Sequence, residues 1–175
     1  LLNYYYMLNG NSNKVLFDRI ANSIHVQKHD RIPYFHCHGV IPINGYNARK
    51  GHLASDKLVL TEDNYLELAN NSFSWQATSF IDNCMNRRVV FCGVSLTDAN
   101  MRRWLSWIHA NKMAEFKENG LNCRDATEHF WICKKPNTVQ EKIWLEESVA
   151  HLGVRLVWID EWNQTGEVLK KMLGL

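Results

Sequence analysis

Three short stretches of the chain carry residue types that could do chemistry. The first is Tyr34-Phe35-His36-Cys37-His38-Gly39. Imidazole changes charge near neutral pH and so can take or give a proton there, and a glycine directly after it lets backbone or ligand approach closely. Alternation along a strand would put His36 and His38 on one face and Cys37 on the other. That disfavours a Cys/His nucleophilic pair, because neighbours in a strand point apart. A structural histidine or a metal-binding His pair are competing readings, and on the residues alone the structural one is favoured over catalysis. The second stretch is Phe91-Cys92-Gly93-Val94-Ser95-Leu96-Thr97-Asp98-Ala99-Asn100. Here a glycine turn joins an apolar run to an amphipathic segment, the arrangement in which a helix start offers N–H groups to phosphates or ribose hydroxyls. It is neither a GxGxxG nor a Walker loop, and Thr97 or Asp98 serves equally well as a helix N-cap. The third is Asp160, after Leu156-Val157-Trp158-Ile159, which can accept a nucleotide hydroxyl or simply start a turn.

These stretches need strands and helices to position them. Ile32 to Cys37, Arg88 to Cys92, His129 to Cys133 and Val154 to Ile159 are β-branched or aromatic runs of strand length, several of them apolar on consecutive positions, as in strands covered on both faces. Between them lie helical stripes: Ala77, Phe80, Ile81 and Cys84 recur at i, i+3, i+4 and i+7, and so do Met101, Trp104, Leu105 and Ile108. Thr138 with Glu141 forms a capping box for a helix through Leu145, Val149 and Leu152, ended by Gly153 at C′. Val168, Leu169, Met172 and Leu173 mark a last amphipathic stretch. Strands alternating with helices imply βαβ units. The expected fold is α/β, a Rossmann-like parallel sheet with helices on both faces. Ligands bind beyond the carboxyl ends of such strands. Those ends carry Cys37-His38-Gly39, Cys92-Gly93-Val94-Ser95, Lys134-Lys135-Pro136 and Asp160-Glu161-Trp162, so a histidine, a hydroxyl turn and a carboxylate would converge on one rim. Val40 to Ser55 is polar and loop-like and could cover it; Asn11 to Arg31 shows no clear period.

With 175 residues, residues 1–175 suit a single domain able to bury about 70% of its unfolded surface. A hydrophobic content of 46% against 22% charged excludes wholesale disorder. The net charge of +2 and the short pairs Arg87-Arg88, Arg102-Arg103 and Lys134-Lys135, typical of solvated faces, give no sign of direct nucleic-acid binding. Apolar runs fall far short of the about 20 residues that span a membrane. Leu1-Leu2-Asn3 reads neither as a signal peptide nor as a translation start, so the chain is expected to be part of a longer protein. The five cysteines contain no CxxC pair, which points to reduced thiols in a cytoplasm and no structural zinc. Cys92 and Cys133 fall in strands expected to be buried.

Taken in order, His38-Gly39, then Lys57-Leu58-Val59-Leu60-Thr61-Glu62-Asp63-Asn64-Tyr65, then Gly93 to Asn100, then the strand ending at Asp160, resemble the bacterial sirtuin-like domains of anti-phage defence proteins. In that family a strand-end His-Gly precedes a "VLTEDDY"-like helix start and a "GxSLxDxN" turn. The resemblance implies a Rossmann-type fold acting on NAD, with His38 as catalytic base and Gly93 and Ser95 against the adenosine ribose; Gly39, Leu96 and Asp160 complete the candidate nucleotide contacts. The family's glycine-rich phosphate loop and catalytic asparagine, in a "TxNYD" segment, lie upstream of His-Gly and here would fall ahead of Leu1. The chain is therefore expected to lack the N-terminal βαβ unit, and to self-associate or sit beside fused partner domains. Deacylating sirtuins insert a four-cysteine zinc module after His-Gly. Its absence fits the zinc-less branch that hydrolyses NAD to nicotinamide and ADP-ribose. An NAD-dependent protein deacylase and a non-catalytic nucleotide-sensing or assembly module are the alternatives.

The cysteine spacing makes one prediction. Metal analysis of the purified protein should find no stoichiometric cysteine-bound zinc, and finding it would revive the deacylase alternative.

Overall fold

Apolar runs bounded by polar turns become short parallel strands, and the periodic segments between them become helices. The computed structural model describes residues 17–21, 23, 29–38, 59, 61–71, 73–126 and 129–174. It divides into two compact units, Leu1–Thr78 and Ser79–Leu175.

In the first unit β1 (Phe17–Ile20) and β2 (Ile32–Phe35) pair in parallel, Phe17 opposite Ile32 and Ile20 opposite Phe35. β1 lies in the stretch that shows no period. Asp18 and Arg19 interrupt its apolar residues, yet Asp18 and Ile20, which alternation puts on one face, are both buried. β2 ends at Phe35 instead of running to Cys37. Its partner stops at Ile20, and after the His36 N–H donates to the Ile20 carbonyl at 2.8 Å no ladder remains to hold the chain extended. Cys37 and His38 form a turn, so strand alternation does not reach His38. α1 (Glu62–Asn70) starts where the Thr61 hydroxyl accepts the Asn64 N–H at 3.3 Å. α2 (Trp75–Asn86) starts where the Ser74 hydroxyl accepts the Ala77 N–H at 3.2 Å, and the division between the units falls within it.

The second unit holds β3 (Val90–Phe91), α3 (Ala99–Glu118), β4 (His129–Lys134), α4 (Val139–Ala150), β5 (Val154–Ile159) and α5 (Thr165–Leu173). Short 3-10 turns occupy Cys123–Ala126 and Trp162–Gln164. The sheet order is β3-β4-β5, all parallel, with Phe91 opposite Trp131 and Trp131 opposite Leu156. In-register residues share a face, and that face is the core: Phe91, Trp131, Cys133, Val154, Leu156 and Trp158 belong to one cluster with the helical stripes. Phe80, Ile81 and Cys84 come from α2, Met101, Leu105 and Ile108 from α3, and Leu145 and Val149 from α4. Ile132 and Ile159, on the opposite face, are buried too. This is the mixed α/β architecture expected, a parallel sheet flanked by helices. β3 is only two residues long, so Cys92 lies past its end and is exposed, against the expectation of burial. Cys133 is buried, and burial pushes its thiol up to about 12. No described helix is long and apolar enough to cross a membrane.

α4 begins at the expected N-cap, the Thr138 hydroxyl accepting the Glu141 N–H at 3.2 Å, which is one half of the expected box. It ends at Ala150 with His151 as cap, so Leu152 lies past the helix and Gly153 one position beyond C′, at a φ of 68°. A Cβ on Gly153 would sit 2.7 Å from His109 Nδ1 on α3. That nitrogen is buried and finds no hydrogen-bond partner among the described residues. Burial, opposed by the Ala126 carbonyl and joined by the charges of His151 and Lys112, holds His109 below its usual 6.5.

Two outcomes are expected from this contact. Gly120 has a φ of 65° but open space where its Cβ would go. Gly120→Ala should therefore cost only the left-handed penalty, about 1 kcal/mol, whereas Gly153→Ala adds overpacking and should cost roughly 2–4 kcal/mol in urea unfolding. His109 binds a proton more readily unfolded than folded, so stability should fall as pH drops below 6.5. Urea midpoints on either side of that pH should show the fall, and His109→Gln should flatten it.

Candidate functional site

The turn between β3 and α3 has an unusual backbone. Gly93 has a φ of 68°, and a Cβ there would meet nothing within 4 Å, so the glycine answers the backbone conformation and the space over it is open. Leu96 has a φ of 51° without being glycine, and its side chain is 2% exposed in the core. Left-handed leucine is strained and persists only where its surroundings over-determine it. The surroundings supply two tethers. Trp131 Nε1 on β4 donates to the Val94 carbonyl at 2.9 Å. Arg102 on α3 donates through one guanidinium nitrogen to the Leu96 carbonyl at 3.1 Å and through the other to the Ser148 carbonyl of α4 at 2.8 Å. The side chains of Ser95 and Thr97 are exposed, their hydroxyl oxygens 2.7 Å apart. Asp98 is the N-cap of α3, its carboxylate accepting the Met101 N–H at 2.8 Å. Protein donors thus take the inner carbonyls of the turn while its hydroxyls face solvent.

The rim continues across the ends of β4 and β5. Lys134 Nζ lies 2.9 and 3.0 Å from the carboxylate oxygens of Glu161. Both side chains are largely exposed, so the pair contributes at most about 1 kcal/mol. The N–H groups of Asp160 and Glu161 donate to Gln164 Oε1 at 2.8 and 3.1 Å, which makes Asp160 the start of a turn and leaves its carboxylate exposed. β4 separates β3 from β5, so the Gly93 turn and Asp160 stand about 10 Å apart across the sheet.

In the first unit His38 is exposed, and its carbonyl accepts the Val59 N–H at 3.1 Å. The His36 ring stands edge-on to Tyr34 with centroids 4.6 Å apart. Burial pushes the Cys37 thiol up, with its own backbone hydrogen bond opposing, which is the opposite of what a thiolate nucleophile needs. Gly39 and the expected cover from Val40 to Ser55 lie outside the described residues. Gly93, Ser95, Leu96 and Asp160 therefore belong to one unit and His38 to the other. Sequence reasoning missed Trp131 and Arg102 as part of the site. The Arg102-Arg103 pair, expected on a solvated face, divides: Arg103 stays outside, hydrogen-bonded to Asn100 and over the Trp107 ring, while Arg102 turns inward. Among the described residues no group of three or more His, Cys, Asp or Glu is placed to hold a metal ion.

No curated protein matches the chain. A family profile, that of the SIR2-like domain, matches residues 1–152. The match takes in His38, the β1–β2 pair, the β3–α3 turn with both its tethers, and α4; only Asp160 among the candidate site residues lies beyond it. With most of its length matched, the chain belongs to the SIR2-like domain family, and that membership points to an NAD-related function.

Proposed function

We propose that the chain is the sirtuin-like domain of an NAD glycohydrolase, an effector of anti-phage defence that cleaves NAD to nicotinamide and ADP-ribose. The observation that carries this reading is the β3–α3 turn, with its exposed Ser95 and Thr97 hydroxyls, its open Gly93 and its tethered carbonyls at the carboxyl rim of a parallel sheet. That rim is where nucleotides bind in α/β sheets. The family match running through both units supports reading 1–175 as one domain. The motif order and the absence of CxxC from the sequence favour the NAD-hydrolysing branch over a deacylase.

In this reading Gly93 and Ser95 bear on the adenosine ribose, Leu96 shapes that contact from the core, Asp160 accepts a hydroxyl farther along the rim, and Gly39 follows His38 in the nucleotide-binding set. The reaction breaks the bond between nicotinamide and the ribose carbon through an oxocarbenium-like state, and water supplies the new C–O bond. NAD and water give nicotinamide, ADP-ribose and one proton. His38 takes the proton from a ribose hydroxyl or from the attacking water. The rest of the acceleration comes from orientation and fixed dipoles.

The test is mutational, in the full-length protein. His38→Ala should lower nicotinamide release by about 10²–10⁴ while folding and NAD binding persist. His36→Ala should cost less, because its ring packs on Tyr34. Ser95→Ala should weaken NAD binding by about 0.5–1.5 kcal/mol. A dead His36→Ala beside a fully active His38→Ala would overturn the assignment of the base.

A further inference from the structure

We propose that Arg102 is a positioning residue for nucleotide recognition: by tying the Leu96 carbonyl to the Ser148 carbonyl of α4, it holds the β3–α3 turn in the one shape that presents the Ser95 hydroxyl. The inference rests on the reading of this turn as a nucleotide contact. Its structural basis is the strain at Leu96. A leucine at a φ of 51° would relax to the right-handed side if the peptide following it were free to rotate. Two anchors prevent this. The Leu96 side chain is locked into the core, and its carbonyl, which must swing when the peptide rotates, is held by Arg102. Arg102 is itself fixed on the first turn of α3, its N–H donating to the Asp98 carbonyl at 3.0 Å.

The same guanidinium reaches Ser148 at 2.8 Å, so one planar fork joins the turn, α3 and α4. It is half-buried and has no carboxylate partner among the described residues, so its donors serve the two carbonyls. A lysine keeps the charge but lacks the rigid fork that meets both acceptors at once. Trp131 restrains only the Val94 carbonyl, two residues earlier, and cannot replace Arg102 at Leu96.

The experiment compares Arg102→Lys and Ser95→Ala with wild type in the full-length protein, by calorimetric titration with ADP-ribose and by amide hydrogen exchange. Arg102→Lys should weaken ADP-ribose binding about tenfold, a change of about 1.4 kcal/mol. It should also speed exchange at the Ser95 to Thr97 amides while the Ile132 amide, on central β4, keeps its wild-type rate. A merely structural role would speed exchange at both places, and that result overturns the proposal. Wild-type affinity in Arg102→Lys beside weakened binding in Ser95→Ala overturns it too, leaving the site itself standing. If neither substitution changes the affinity, or wild type does not bind ADP-ribose, the reading of the turn falls and the inference with it. Arg102→Gln, which can reach only one acceptor, should show the same pattern and decides the matter if Arg102→Lys does not fold.

Discussion

The parallel direction of β3, β4 and β5 is the constraint on which the second unit depends. Two parallel neighbours cannot be joined by a tight turn, so the chain must return through a helix each time. α3 makes the return from β3 to β4, and α4 the return from β4 to β5. Both bury their stripes on the face that carries Phe91, Trp131 and Leu156 in register. Because every strand runs the same way, all three carboxyl ends open on one rim. The polar residues that follow each strand are gathered there by topology, without any attraction among themselves.

Trp131 connects that core to that rim. Its ring belongs to the buried cluster while its indole N–H reaches the Val94 carbonyl, so packing and turn geometry share a side chain. Arg102 makes the corresponding connection from the helical layer. A tryptophan and an arginine suit these tasks because each combines a large body that packs with a donor of fixed direction. The exposed Lys134–Glu161 pair is of another kind: it joins the ends of β4 and β5 in water, where ion pairs hold little.

The sequence was most legible where large apolar residues crowd together. β5 occupies the predicted run Val154–Ile159, and β4 extends its run by Lys134 alone, because runs this rich in large apolar residues hide most of themselves as strands under helices, Arg155 alone standing exposed within β5. The stripes on α2 and α3 and the Thr138 cap were legible for the same kind of reason: each is a local pattern with a local cause. β1 was not, since buried Asp18 reads as polar on paper, and the end of β2 was not, since it is set by where β1 stops. In the candidate site, Gly93 announced a turn, and Asp98 was recognisable as a possible cap. The left-handed backbone of Leu96 carries no signal in the residue type. Arg102 follows Met101 at the edge of the apolar stripe, where helical phase alone does not say whether a long side chain turns in or out.

Position 96 also constrains how this sequence can drift. The backbone there favours glycine, whereas the core around it favours a branched aliphatic side chain, and no single residue type satisfies both. Leucine meets the core's demand and leaves the backbone's to its neighbours. Change at position 102 therefore alters which residues are acceptable at 96: without the guanidinium, glycine gains on leucine, and with it leucine holds. The two sites should be inherited as a pair, so that a homologue's residue at one carries information about the other.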